Sequence, residues 1–275
     1  MFFLQWYDFI FVVLVYKNAM DLKDFLNSLT QIEGSYRVVI VNSYYNKETM
    51  NNIKNISLEY DCDFINIDNK GYGYGNNRGI EYALEKYDFK FLVISNPDIE
   101  IKHFSIMHLE GLNNCISGPK ILTLSGKNQN PYFYNNIKMS QFFKYISSKT
   151  EIKAFWYLGV AINKVDKYLR LLVNRIFYKR TRQKVYALHG SFIVFGKDGL
   201  TKLVPLFDEN MFLFAEEEHL ARLAESKGVS MYYLSNVEVL HKEDGSMWFL
   251  NEDLHKMQKK SYITYYENWF KKNRQ

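Results

Sequence analysis

Apolar positions in the first hundred residues follow two periods that take turns. Residues 9–16 form an unbroken apolar run, the pattern of a strand buried on both faces. Residues 21–29 then repeat apolar positions at helical spacing. A β-branched run at 37–41 follows, and a polar stretch with helical spacing at 47–60. Residues 63–67 predict a short strand, 76–86 a helix and 89–95 another apolar strand. Strand and helix in alternation predict crossover connections and a mostly parallel sheet of the α/β class. Ligands of such sheets bind beyond the carboxyl ends of the strands.

The pattern changes after residue 125. Residues 125–184 lack strand alternation and are rich in aromatic and basic side chains. Within them, 165–184 (VDKYLRLLVNRIFYKRTRQK) predicts a basic amphipathic helix carrying Arg170, Arg175, Lys179, Arg180 and Arg182. Strand character returns at 185–195. A helix with acidic residues in its first turn follows at 216–227, then short strands at 231–234 and 237–241. Residues 251–275 predict a helical tail with a basic end.

Composition changes this picture little. The 275 residues are 47% hydrophobic and 24% charged, ordinary for a globular chain. The 17% aromatic content accommodates either a biased codon composition or aromatic binding surfaces. A net charge of +5 fits an anionic small ligand or an acidic membrane surface and does not call for nucleic acid. Cys62 and Cys115 have no metal-ligand spacing, so a reducing cytoplasm is expected. The apolar start is interrupted by Gln5 and Asp8 and is too short to span a bilayer, which favours a buried first strand.

Five short segments could carry chemistry. Residues 69–79 (NKGYGYGNNRG) place glycines at alternate positions before a helical stretch, either a tight turn or a backbone that approaches an anionic ligand. Ser95-Asn96-Pro97-Asp98 ends an apolar strand; it is a turn signal, or a carboxylate set at a strand edge for a cation. Residues 207–220 (FDENMFLFAEEEHL) put Glu216, Glu217 and Glu218 after an apolar run. Those carboxylates suit a helix N-terminus, or a general base whose pKa is raised by apolar and acidic neighbours. His241 lies in 239–246 (VLHKEDGS), structural or ligating. His189-Gly190-Ser191 lies between two strand signals.

In this order the segments resemble family 2 glycosyltransferases, specifically the rhamnosyltransferase- and galactofuranosyltransferase-like branch of bacterial surface-polysaccharide synthesis, over residues 9–246. The resemblance implies a GT-A fold: a Rossmann-like mixed sheet flanked by helices in residues 1–246, with 125–184 as a helical acceptor-side insertion. Residues 247–275 would be a C-terminal helical extension. It also implies an inverting transfer of sugar from a UDP- or dTDP-sugar to a glycan or polyprenyl-linked acceptor, with magnesium or manganese as cofactor.

Carried residue by residue, the resemblance assigns donor binding to Tyr16, Asn42, Asn69, Gly73, Gly75, Asn76, Asn77, Arg78 and Asn96. Asp98 and His241 would hold the metal, and His189, Gly190 and Ser191 would lie on the acceptor side. The base is expected at Glu217, ranked before Glu216 and Glu218, where the family has Asp. Asn42-Ser43 stands where the family has Asp-Asn, and His219 where it often has Asp. A non-catalytic relative that binds nucleotide or membrane is the alternative. The basic middle segment is either a solvated helix face or a contact with the anionic inner leaflet, which would make the protein cytoplasmic and peripheral to the membrane.

Overall fold

The chain opens with strand β1 (Gln5–Val15), whose alternate side chains enter two different cores. Ile10 and Val12 pack on one side of the sheet, and Phe9, Phe11, Val13 and Val15 on the other. A strand covered on both faces must be apolar at every position, which explains the unbroken run. A computed structural model describes residues 4–177, 181–242 and 251–271, with side chains from 174 to 177 and from 251 to 253 excepted. Lys179, Arg180, the Arg175 side chain and the 243–246 end of the histidine segment lie outside the described residues.

After β1 come α1 (Ala19–Ser28), the short β2 (Ile32–Glu33), β3 (Tyr36–Ser43), α2 (Lys47–Glu59) and β4 (Asp63–Ile67). Asn18 and Asn46 cap α1 and α2 with their side-chain oxygens. Then follow α3 (Tyr72–Lys86), β5 (Tyr87–Ser95), β6 (Ile99–Ser105) and β7 (Cys115–Thr123). The middle segment holds α4 (Lys138–Thr150) and the long α5 (Lys153–Phe177), and the chain returns through β8 (Arg182–Val185) and β9 (Phe192–Gly196). It continues with α6 (Lys197–Leu203), α7 (Glu216–Ser226), β10 (Ser230–His241) and α8 (Asn251–Phe270).

The described strands form one mixed sheet in the order β2-β6-β10-β7-β9-β5-β1-β3-β4, with β8 added alongside β10. β1 runs parallel to both β3 and β5, and β3 parallel to β4. β9 is inserted antiparallel between β5 and β7, and β10 is antiparallel to β6. The expected α/β architecture with a parallel first half is therefore present.

Three local expectations are corrected. The glycine segment is not a turn, because the helix opens at Tyr72 rather than at Asn76 and takes Gly73, Gly75 and Gly79 inside it. A Cβ at Gly75 would overlap Leu14, and one at Gly79 would overlap Val12 and Val41, so these glycines let the helix lie directly on the sheet. The basic segment is not one helix to residue 184: α5 begins earlier, and Arg182–Val185 is a strand on β10. Finally, the two short strands near the end are a single strand, β10, whose register shifts between Leu234 and Glu238.

The C-terminal helix α8 packs against the rest of the chain. Tyr262 and Tyr265 are buried in a third core with Tyr145, Met211 and Ala215. The Tyr265 hydroxyl donates to Gln141 Oε1 at 3.3 Å, and Trp269 Nε1 donates to His219 Nδ1 at 3.1 Å. α8 thereby joins the middle segment to the helix that carries the three glutamates.

Candidate active site

The polypeptide leaves β5 through Asn96-Pro97-Asp98 and enters β6 directly. Because β6 pairs antiparallel with β10, His241 falls opposite Ile99, one residue beyond Asp98. The Lys242 amide donates to the Asp98 carbonyl at 3.0 Å. His241 Nε2 thus comes to 3.3 Å from Asp98 Oδ2, with both side chains buried. The other imidazole nitrogen, Nδ1, meets Gln129 Oε1 at 2.7 Å, which fixes the ring plane.

The second carboxylate oxygen, Asp98 Oδ1, is buried and has no hydrogen-bond partner. Such an oxygen costs free energy unless a cation or donor satisfies it. Set beside an imidazole nitrogen, it fits a divalent cation. Among the described residues no group of three or more His, Cys, Asp or Glu side chains could hold a metal. The protein donors would be two, which suits a cation that takes its remaining ligands from a diphosphate and water.

β9 brings His189, Gly190 and Ser191, expected on the acceptor side, to this point. Ser95 pairs with Phe192, and the Asn96 amide donates to the Ser191 carbonyl at 2.8 Å. The His189 ring lies 5.7 Å from the His241 ring, centroid to centroid. Burial, together with the neighbouring His241, lowers the His189 pKa to about 3 and keeps it neutral. Its amide donates to Asn130 Oδ1 at 2.8 Å, and its Nδ1 meets Ser191 Oγ at 3.0 Å.

The three glutamates begin α7, and helical geometry turns them in different directions. Glu218 is buried in an ion pair with Lys144 at 3.2 Å. The Lys144 ammonium also lies over the rings of Phe133, Trp156 and Tyr262, at 4.9, 5.5 and 5.5 Å. Glu216 is buried, with Oε1 unpartnered. Glu217 alone of the three keeps partial exposure, and its Oε1 accepts from the Gly190 amide at 3.3 Å. Burial first, then the Glu218 charge, raises the Glu217 pKa to about 7. Glu216 is pushed well above the usual carboxylate range, by burial and by Glu217.

Phe214 and Ala215, immediately before α7, both have left-handed backbone, with φ of 76° and 68°. Non-glycine residues there cost of order 1–3 kcal/mol each, and such strain persists where surrounding contacts over-determine it. The contacts come from the glycine segment. Tyr72 N donates to the Phe212 carbonyl, and a Cβ on Gly71 would overlap the Phe212 backbone. Asn77 holds both backbone groups of Phe207, and Arg78 pairs with Glu209 at 2.7 Å. The Tyr72 hydroxyl donates to the Gly190 carbonyl at 2.9 Å, one peptide from the Glu217 contact. The glycine segment therefore seats the loop that leads into the glutamates.

The remaining predicted residues lie at the carboxyl ends of the parallel strands. Tyr16 follows β1, edge-on to Tyr45 at 5.9 Å, with the Lys17 ammonium 3.9 Å above the Tyr45 ring. Asn42 is buried, and its Nδ2 donates to Asn66 Oδ1 at 2.6 Å. Asn69 accepts weakly from the Gly71 amide, and Asn76 Nδ2 donates to the Tyr72 carbonyl. The structure thus gathers Asn96, Asp98, His189, Gly190, Ser191, Glu217 and His241 in one chain of contacts. Asn77 and Arg78 are instead engaged with residues 207–209. Sequence reasoning missed Tyr72, Gln129 and Lys144. Tyr72 sat in plain view in the glycine motif, whereas Gln129 and Lys144 carry no local signal.

With this geometry in hand, comparison with solved structures is decisive for the architecture. GalNAc-T7, solved with UDP, GalNAc and Mn2+, superposes over 98% of this chain with a TM-score of 0.64 at 11% identity. TarS of S. aureus, in its 1–349 form, covers 97% of the chain with a TM-score of 0.53 at 14% identity. The fold is GT-A. No protein-family model matches the chain. The low-salt glycan biosynthesis hexosyltransferase Agl10 of Haloferax volcanii is 29% identical over 124 residues, 43% of this chain and 38% of that protein. The GT-A chain described here likewise spans 49% of the GalNAc-T7 chain.

Proposed function

We propose that this chain is an inverting glycosyltransferase that takes a sugar from a UDP- or dTDP-sugar and transfers it to a glycan or a polyprenyl-linked oligosaccharide. Bacterial capsule or O-antigen synthesis is the setting the sequence resemblance suggests. The observation that carries the reading is the convergence, within a GT-A fold, of a buried carboxylate–imidazole pair and a partly exposed glutamate on the His189-Gly190-Ser191 segment. Similar proteins support the reading by name: the partial sequence relative Agl10 is a hexosyltransferase, and TarS has been solved with UDP-GlcNAc.

In this reading Glu217 accepts the proton of an acceptor hydroxyl. The acceptor oxygen bonds to the anomeric carbon as the bond from that carbon to the diphosphate oxygen breaks, and configuration inverts. A base of pKa about 7 is about half ionised at neutral pH and basic enough to take the proton. Asp98 and His241 would hold magnesium or manganese, which supplies positive charge against the departing diphosphate. The Gly190 amide orients the Glu217 carboxylate, and Tyr72 holds the Gly190 peptide from its other side. Tyr16, Tyr45 and Asn42, at the β1 and β3 ends, would border the nucleobase.

The test is thermal stability with UDP and dTDP, each with and without manganese, followed by turnover of the matching nucleotide-sugar. A ligand that binds only the native state raises the melting temperature by mass action. The expected outcome is a manganese-dependent rise with one nucleotide that is lost in Asp98→Asn. Nucleotide binding with no turnover on any acceptor or water would favour the non-catalytic relative. No rise with any nucleotide would end the proposal.

A further inference from the structure

Helix α5 carries an apolar face that nothing in the described chain covers. Tyr157, Leu158, Val165, Tyr168, Leu169 and Leu172 recur after three, four or seven residues and form one stripe. Each is between 44% and 68% exposed. The helix is nonetheless firmly docked, by its other side. Gly159 lies against the Ser140 carbonyl, whose hydroxyl donates to the Gly159 carbonyl at 2.8 Å, and Trp156 packs edge-on to Tyr262. An apolar stripe left outward by a docked helix marks an interaction surface.

Charge selects the occupant. At about 100° per residue, Lys153 and Lys164 fall beside Tyr157 and Tyr168 on one border of the stripe, and both lysines are exposed. Asp166 is the single acidic residue of α5, and its carboxylate is turned inward to Asn135 Nδ2 at 2.7 Å. Long cationic stems and tyrosines along the edge of an apolar stripe suit a bilayer interface, with rings and ammonium groups at the headgroups and Val and Leu below them. An antiparallel second copy of the same face would set lysine against lysine. Among the described residues no helix is long and apolar enough to cross a membrane, so α5 would lie on the surface.

We infer that the stripe of α5 is a membrane-docking surface that rests on an anionic lipid bilayer. The inference rests on the glycosyltransferase reading only for its purpose, which would be to bring a lipid-linked acceptor to Glu217. The physical link runs through the packed side of the helix. Trp156 of the docked side covers Lys144, and Lys144 holds Glu218, the neighbour of Glu217.

The experiment is co-sedimentation of the full chain with vesicles of phosphatidylcholine alone, or of equal parts phosphatidylcholine and phosphatidylglycerol, at low and high salt. Two variants accompany it, Val165→Ser/Leu169→Ser/Leu172→Ser and Lys153→Glu/Lys164→Glu. The chain is expected to sediment with the anionic vesicles at low salt and far less with neutral ones. Partitioning should fall about tenfold or more in the triple variant, which removes buried apolar area, and by a similar factor in the charge variant. Circular dichroism melts should match the parent, because every altered side chain is exposed. Absence of binding at low salt would overturn the inference, as would equal binding by the triple variant. So would light scattering that shows a dimer dissociated by that variant, since the face would then belong to a second copy. Nucleotide-induced stabilisation is measured in parallel. If it is absent while vesicle binding persists, the transferase reading fails and the docking surface stands.

Discussion

Three adjacent glutamates illustrate how position within one helical turn gives each carboxylate different surroundings. Glu218 is committed to Lys144, Glu216 is buried without a partner for Oε1, and Glu217 faces Gly190 with partial exposure. Glu217→Gln is expected to reduce transfer by about two to four orders of magnitude, as for loss of a general base, while leaving nucleotide-induced stabilisation intact. With a pKa of about 7, Glu217 would have to lose its proton to act as the base, so the rate should rise about tenfold per pH unit below neutrality and level off above it. The stability consequence has the opposite sign. The native state holds a proton that the unfolded chain releases near 4.5, so the contribution of this site to stability is present below about 4.5 and is lost as pH rises through about 7. A pH–rate profile with a flat acid limb would remove Glu217 from the role.

Lys144 belongs to the same argument. A buried ion pair contributes little net stability, but a buried carboxylate left alone is costly. Lys144→Met should destabilise the chain by about 3–5 kcal/mol, read from urea unfolding, and the double variant Lys144→Met/Glu218→Gln should recover most of that. Equal losses in the single and double variants would mean that the aromatic packing around Lys144, rather than the charge, holds the site.

Among the elements, α3 shows most clearly how a motif can be noticed correctly and assigned the wrong local shape. Alternate glycines before a helical stretch read as a turn, because glycine is the usual residue where backbone must bend. Here Gly71 alone has positive φ, at 106°, and the others are helical. Their freedom is used for closeness: with no Cβ, the helix settles onto Leu14, Val12 and Val41. Gly79→Ala should therefore destabilise by about 1–3 kcal/mol through overpacking, although alanine is preferred over glycine in a helix by about 1 kcal/mol. A rise in melting temperature for that variant would show that the sheet yields to the added methyl. The β-strands were easier to read. β1, β3 and β5 hold apolar runs of the right length and β4 is a short β-branched stretch, whereas β6 and β7 went unassigned because polar and small residues break their pattern.

Across the whole molecule, the C-terminal helix is an integral part of the site's support. Residues 247–275 read as an extension, yet α8 buries Tyr262 and Tyr265, and its Trp269 bonds His219 in α7. His219, set where the resemblance expects Asp, thereby gains a partner outside the substrate site. Truncation after residue 250 should lower stability by more than about 3 kcal/mol, since two fully buried aromatic side chains contribute about 1.5–3 kcal/mol each. It should also weaken transfer. A truncated chain with the urea midpoint and turnover of the parent would show that α8 is dispensable.

The alternation of periods, the order of the short motifs and the GT-A architecture were legible from residues alone. Burial on one or two faces writes itself into local periodicity, and a window of a dozen residues is enough to see it. The joining of Asp98 to His241, the separate surroundings of Glu216, Glu217 and Glu218 and the work of the glycines were decided only in three dimensions. The first needs β6 and β10 to pair antiparallel across more than a hundred residues. The second needs the directions in which α7 throws three consecutive side chains. The third needs to know what lies against α3. Each depends on contacts between segments remote in the chain, and remote contacts leave no period in the sequence.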